Sequence, residues 1–391
     1  MSNSFKTFLK HTAKDFHNQS VNPPVVRAST IIFKSMKDIR KTQAKAIKNP
    51  TGGHYDYGRQ GTSTTYILQK ILTKLEESYH VFTTPTGFGA VFLAIFSVTR
   101  PGDEIIVADP VYSPTRILTE NFLKEFNIKT TFYDPHDLKT LEKSITKNTK
   151  LIFVENPGSN SFDFQDLGKI VSIAKKHKIL TAMDNTWGTP YFLKPIKLGF
   201  DMAIVSATKY YSGHSDVMGG SLAVNKKVFP KVKAAERITG LRLGPDDAYL
   251  ITRGLRTLDV RLDRHRENAK KVAEFLSKNK KFKLLYPYKK DSYNFRMWKK
   301  YYSGASGLMG VQIKSKNVNS IRKFVNSLKL FGYGYSWGGF ESLALHQEFR
   351  ETGKRKYLKL KKDEHLVRFH IGLEDPSDLI ADIKQALKHL K

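Results

Sequence analysis

Between residues 100 and 210 the chain repeats one pattern: a short, unbroken apolar run, then a longer stretch with helical spacing. The runs are IIVAD (105–109), KLIFVEN (150–156), ILTAMDN (179–185) and DMAIVSA (201–207). Runs of this length, rich in Ile and Val and without polar alternation, predict strands buried on both faces. Helical stretches between them predict a mostly parallel sheet in an α/β domain, placed at residues 57–245. Residues 1–56 show little sustained periodicity, with a Pro23-Pro24 break and a TGGH turn at 51–54, and read as an arm. Beyond Pro245 a helical pattern runs from Asp246 towards Lys280. The remainder mixes strand-like GLMGVQI and LVRFHIG with helices and ends in the amphipathic DLIADIKQALKHL. Residues 246–391 are therefore expected to form a smaller α+β domain.

Composition narrows the function classes. The longest apolar run, Ala90 to Val98, falls far short of the roughly 18 residues that cross a bilayer, so no membrane span is expected. The polar, mixed-charge start lacks the apolar core of a secretory signal, and a cytoplasmic location is the expectation. Cysteine is absent, which excludes disulfides, thiolate metal sites and cysteine nucleophiles. The formal charge is +30, from 66 Lys plus Arg against 36 Asp plus Glu. Such a surplus raises the question of nucleic acid. The lysines, however, are spread along the chain, at 175–178, 278–283 and near 357–362, without a nucleic-acid motif around them. A solvated surface explains them, and nucleic acid is not the expected partner. No HExxH or clustered His/carboxylate pattern supports a metal hydrolase.

Ligands of open α/β sheets bind beyond the carboxyl ends of the strands. Lys209 directly follows the last predicted strand, in Ser206-Ala-Thr-Lys-Tyr-Tyr-Ser-Gly-His. A lysine held there among other groups can lose enough basicity to form an imine with an aldehyde cofactor, and Ser206 and Thr208 offer hydroxyls to a phosphate. Asp184 ends the preceding strand; it suits a protonated pyridine nitrogen and would serve equally as a helix N-cap. Thr84-Pro-Thr-Gly-Phe-Gly-Ala opens an apolar helix where backbone N–H groups at Gly87 and Phe88 can close on an anion. The stretch fits neither a Rossmann nor a Walker pattern. Tyr112, after IIVADP, can lay a ring over a planar cofactor or be an ordinary loop tyrosine.

At this point the chain, from about Pro23 onward, resembles the Cys/Met-metabolism group of pyridoxal-phosphate enzymes. The motifs are Tyr57-Gly-Arg59, Asp184-Asn-Thr-Trp-Gly-Thr-Pro, Ser206-Ala-Thr-Lys209-Tyr-Tyr-Ser-Gly-His-Ser-Asp, Tyr335-Ser-Trp-Gly-Gly-Phe-Glu-Ser342 and Leu366-Val-Arg-Phe-His-Ile-Gly-Leu-Glu-Asp. The resemblance implies the aminotransferase-like fold (fold type I), with a mostly parallel seven-stranded sheet, and pyridoxal 5'-phosphate linked to Lys209. It further implies that Asp184 pairs with the pyridine nitrogen and Tyr112 stacks on the ring. Phosphate would be held around Gly87, Phe88, Ser206 and Thr208, and by Tyr57 and Arg59 from a neighbouring subunit. The assembly would be a homo-oligomer, expected to be a dimer of dimers. Arg368, with Ser336 and Trp337 beside it, would grip the carboxylate of an amino-acid substrate. Lys209, Tyr112 and Tyr57 are the implied catalytic residues. Thr86-Gly-Phe-Gly departs from the relatives' Ser-Gly followed by small residues. The aromatic Tyr335-to-Ser342 form is similar to the bacterial cystathionine β-lyases, where γ-acting relatives usually carry Ser-Leu-Gly-Gly. It implies β-elimination, with γ-elimination, γ-replacement or alanine racemisation as other outcomes at the same site. A different class of reading, a basic nucleic-acid-binding protein on an inactive enzyme fold, sits poorly with intact Lys209, Asp184 and Arg368.

Overall fold

A computed structural model describes residues 4–12, 19–287, 290, 292–347, 355–357 and 360–390. Parts of the N-terminal arm (1–3 and 13–18) and of the lysine-rich segment near 357–362 (358 and 359) lie outside them. The large sheet has seven strands, β1 (His80–Thr84), β2 (Glu104–Ala108), β3 (Lys129–Tyr133), β4 (Thr149–Glu155), β5 (Leu180–Asp184), β6 (Met202–Ser206) and β7 (Gly220–Val224), and the four apolar runs are β2, β4, β5 and β6, each within a residue of its expected place. β1, β3 and β7 were not among the predicted strands. HVFTT and KTTFY mix polar residues into short segments, and GSLAV sits behind glycines, so none shows an unbroken apolar run. The order is β1-β7-β6-β5-β4-β2-β3. β6, β5, β4, β2 and β3 are parallel, and only β7 runs against its two neighbours. This is the mostly parallel sheet of fold type I.

Burial on both faces shows as a period-two split of the core. Ile106, Ile152, Val154, Met183 and Val205 pack on one side, and Ile105, Val107, Leu151, Phe153 and Ile204 on the other. Each such side chain contributes roughly 1.5–3 kcal/mol by leaving water.

A second, five-stranded sheet contains β8 (Phe282–Leu285), β9 (Leu308–Lys314), β10 (Gly332–Tyr333), β11 (Leu343–Gln347) and β12 (Glu364–His370) in the order β10-β11-β12-β9-β8. Val367 and Phe369 of β12 join Met309, Val311 and the helices Leu258–Leu276 and Pro376–Ala386 in its core. Strand alternation puts Arg368 and His370 on the opposite face. That face meets the first sheet: the indole of Trp187 donates to Leu308 O at 3.0 Å, and the amide of Asn156 donates to the Tyr302 hydroxyl at 2.8 Å.

Two expectations change. The helical pattern after Pro245 is two helices, Pro245–Leu255 and Leu258–Leu276, interrupted at Arg256-Thr257. The arm, read as aperiodic, contains a 13-residue helix, Met36–Lys48, capped by Ser35 and with no buried residue. No helix among the described residues is long and apolar enough to cross a membrane.

Candidate active site

Strand register brings the chemistry to one edge of the large sheet. Glu155 ends β4 beside Asp184, Asp184 ends β5 beside Ile204, and Ser206 ends β6 beside Gly220. β7 runs backwards, so its first residue, Gly220, also faces Thr84 at the end of β1. Lys209 lies three residues past Ser206, in the turn whose N–H returns to Ser206 O at 3.1 Å.

The helix Gly87–Phe96 starts at this edge, with the Thr86 hydroxyl accepting the Gly89 N–H at 2.9 Å. Gly87 and Phe88 occupy the first helical turn, whose N–H groups have no partner within a helix. A Cβ on Gly87 would lie 2.4 Å from Ser206 Oγ, and one on Gly220 2.3 Å from Thr86 O. Glycine at both positions lets the helix start pack tightly against the ends of β6 and β7, and the positive helix end favours an anion there. The Thr208 hydroxyl, expected to face that anion, is instead engaged by the Gly219 backbone, donating to O at 3.2 Å and accepting from N at 3.0 Å.

Asp184 Oδ1 accepts from Thr186 twice, from N at 2.9 Å and from Oγ1 at 2.6 Å. Thr186 Oγ1 in turn receives the Ser206 N–H at 2.9 Å. Burial raises the Asp184 pKa, while these bonds and the Lys209 charge pull it back. Lys209 is the opposite case: burial and the Arg368 charge lower its pKa from 10.5 to about 8. Its Nζ donates to Ser336 Oγ at 2.5 Å and stands 5.5 Å from the Trp337 ring centroid.

The second sheet supplies the other wall. Arg368 Nη2 donates to Ser336 O at 3.1 Å, and burial holds its guanidinium below the ordinary arginine value. Tyr112 and Tyr335 stand close enough to Arg368 to interact with it electrostatically. Tyr112 carries a half-exposed ring, and its N–H donates to Glu155 Oε2 at 2.6 Å. Ser336 has φ 77°, a conformation costing a non-glycine residue about 1 kcal/mol or more. Gly338 has φ +91°, and a Cβ there would lie 3.0 Å from Lys209 C and Cα. Both features fix the loop against the lysine.

Lys209, Asp184, Ser206, Gly87, Tyr112, Arg368, Ser336 and Trp337 thus surround one cleft. Tyr57 and Arg59 do not bond to it within the chain. Tyr57 pairs with Thr30, and Arg59 Nη1 donates to Arg237 O at 2.8 Å. Sequence reading missed Glu155, although KLIFVEN ends on it and Asn156. Burial and the adjacent Asp184 charge push its pKa well above its ordinary value. His370, two residues past Arg368 in a quoted motif, was also passed over.

The cleft offers a weakly basic amine, a buried carboxylate, an anion cradle and a guanidinium, the groups that a phosphorylated aldehyde cofactor and an amino acid require. The model of the family "Cys/Met metabolism PLP-dependent enzyme" matches residues 6–388. The chain is 36% identical to cystathionine β-lyase of Bordetella avium, over 94% of this chain and 92% of that one. It is 35% identical to the L-alanine/L-glutamate racemase of Wolbachia pipientis wMel, over 95% and 93%. The metY structure from Campylobacter jejuni, solved with N'-pyridoxyl-lysine-5'-monophosphate, superposes with a TM-score of 0.88 at 29% identity, covering 99% of this chain and 100% of that one. The chain belongs to the Cys/Met-metabolism family of pyridoxal-phosphate-dependent enzymes.

Proposed function

We propose that the protein is a carbon–sulfur β-lyase that converts L-cystathionine and water into homocysteine, pyruvate and ammonia, a step of methionine biosynthesis. The observation that carries this reading is the Tyr335–Ser342 loop, which sets Ser336 and Trp337 directly against Lys209 Nζ.

When bound, pyridoxal phosphate supplies an electron sink for the pair left at the substrate Cα. The residues fit it: Lys209 has the amine for its aldehyde, Asp184 the carboxylate for its ring nitrogen, and Gly87, Phe88 and Ser206 the donors for its phosphate. Tyr112 would cover the ring, and Arg368 would hold the substrate carboxylate in a two-pronged grip. Lys209 Nζ would take the Cα proton of the substrate. Its lowered pKa keeps a useful fraction unprotonated for that task. Ser336 Oγ orients Nζ, and Tyr112 is the second group placed to handle a proton.

Tyr57 and Arg59 are assigned to the phosphate site of a neighbouring subunit. Ile32, Met36 and Ile47 of the arm are 92%, 66% and 81% exposed, which favours a partner copy covering them. A dimer of dimers is the proposed assembly.

Purified protein loaded with pyridoxal phosphate should release pyruvate, ammonia and homocysteine from L-cystathionine. Formation of 2-oxobutyrate and cysteine instead would move the enzyme to γ-elimination. The Wolbachia relative favours a second reading, racemisation by returning a proton to the opposite face of Cα. Chiral analysis of L-alanine and L-glutamate incubations tests it.

A further inference from the structure

Two buried histidines lie behind the wall that carries Ser336 and Trp337. His370 follows Arg368 by two residues on β12, so both side chains leave the same face. Both hold the same loop: Arg368 Nη2 donates to Ser336 O, and the Gly338 N–H donates to His370 Nε2 at 3.1 Å. Gly339 O is also 3.1 Å from Nε2, and one nitrogen of a neutral ring cannot both accept and donate. The Gly338 N–H donates to Nε2, which makes Nε2 the acceptor and leaves the ring proton on Nδ1.

His265 has the same tautomer. Its Nδ1 is 2.8 Å from Ile371 O, a pure acceptor, which places the proton on Nδ1 and a lone pair on Nε2. His370 Nδ1 and His265 Nε2 are the atoms left over, both buried and without a partner, on rings whose centroids are 5.1 Å apart. One is a donor and the other an acceptor. Glu341, Arg368 and Lys209 act on His370 electrostatically, and His370 and Arg261 on His265. Burial holds His370 down at about 4 and His265 well below its ordinary value, so both rings stay neutral around pH 7.

We propose that His370 is a positioning residue for Lys209: its Nε2 anchors Gly338, and the anchored loop presents Ser336 Oγ to Lys209 Nζ. The inference rests on Lys209 being the cofactor-binding amine. Gly338 is the mechanical link, since it sits against the Lys209 backbone with no room for a side chain. Partners of this outer kind fix orientation and proton placement in the groups that touch the ligand.

The test compares His370→Gln, whose amide oxygen can take the Gly338 N–H, with His370→Phe, which keeps ring volume without an acceptor. The first readout is the pH titration of the absorbance of the lysine-linked cofactor in the loaded protein. His370→Phe should move its midpoint by about half a pH unit or more and lower kcat about tenfold, with KM changed less than about threefold. His370→Gln should stay within about twofold of the parent in both constants. A folded His370→Phe protein that titrates and turns over like the parent overturns the proposal. Should His370→Phe not fold, His370→Asn replaces it: its shorter amide falls short of Gly338, and parental titration would overturn the proposal equally. A parent protein with no lysine-linked absorbance would instead refute the role of Lys209 itself.

Discussion

The lowered basicity of Lys209 can be measured without any turnover. A lysine ionising at about 8 rather than 10.5 has about one amine in ten free at pH 7, against about one in three thousand, a gain of roughly 300-fold in reactive form. The leading cause is enclosure of the amine, the second is the positive charge of Arg368, and Asp184 opposes both by favouring the cation. Two substitutions therefore act in opposite directions: Arg368→Gln raises the Lys209 pKa and Asp184→Asn lowers it. The assay is trace acylation of the cofactor-free protein between about pH 6 and 11, with the Lys209 peptide quantified by mass spectrometry against surface lysines. Lys209 should label with a midpoint near 8, displaced upward in Arg368→Gln. A midpoint that coincides with the surface lysines, or one that Arg368→Gln leaves in place, would refute the electrostatic account of the site.

Two further outcomes concern the frame around that amine. Glu76 is fully buried at the end of the helix Ser63–Leu75, accepts the Tyr211 hydroxyl at 3.0 Å, and has a pKa raised by burial from 4.5 to about 8. The unfolded chain releases this proton near 4.5 and the native state only near 8, so stability falls as pH rises through that window, by about 4–5 kcal/mol in all. Glu76→Gln should remove the slope, gaining thermal midpoint over the parent at pH 8 but not near pH 4; parallel pH profiles would refute it. Gly338→Ala should cost about 1–2 kcal/mol through its positive φ and weaken cofactor binding by pressing on Lys209. Unchanged thermal midpoint and cofactor titration would show that the loop adjusts freely.

The sheet was legible where burial imposes a pattern and illegible where it does not. β2, β4, β5 and β6 are central strands with both faces covered, which demands unbroken apolar runs. β1 and β3 are edge strands and carry threonines, while β7 starts on Gly220, which serves the close approach to Thr84 and Thr86. Lys209, Asp184 and Ser206 could be read because they end or directly follow such runs. Arg368, Ser336 and Trp337 rested on motif resemblance, since no periodicity ties a loop at 335–342 to a lysine at 209. Glu155 and His370 escaped for a related reason. Their roles come from a neighbour across the register or behind a loop, Asp184 for one and Gly338 for the other, and only the fold supplies those neighbours.

The site divides along the two sheets, and that division bears on which reaction follows. Asp184, Ser206, Gly87 and Tyr112 stand on strand ends and a helix start of the large sheet, a rigid edge suited to holding one cofactor in one place. Ser336, Trp337 and Arg368 come from the second sheet and its loop, and they reach the lysine through a strained serine and a glycine with no room to spare. A β-lyase and a racemase match this chain at nearly equal identity. The rigid edge meets a requirement common to both reactions, so it cannot by itself select between them. On the proposed mechanism, selection falls to the groups that govern the path of the proton after Nζ takes it: the hydroxyl of Ser336, held at Lys209 by its loop, and the phenol of Tyr112. Substitutions at Ser336 and Tyr112 should therefore change the ratio of elimination to racemisation, whereas substitutions at Asp184 should depress both together.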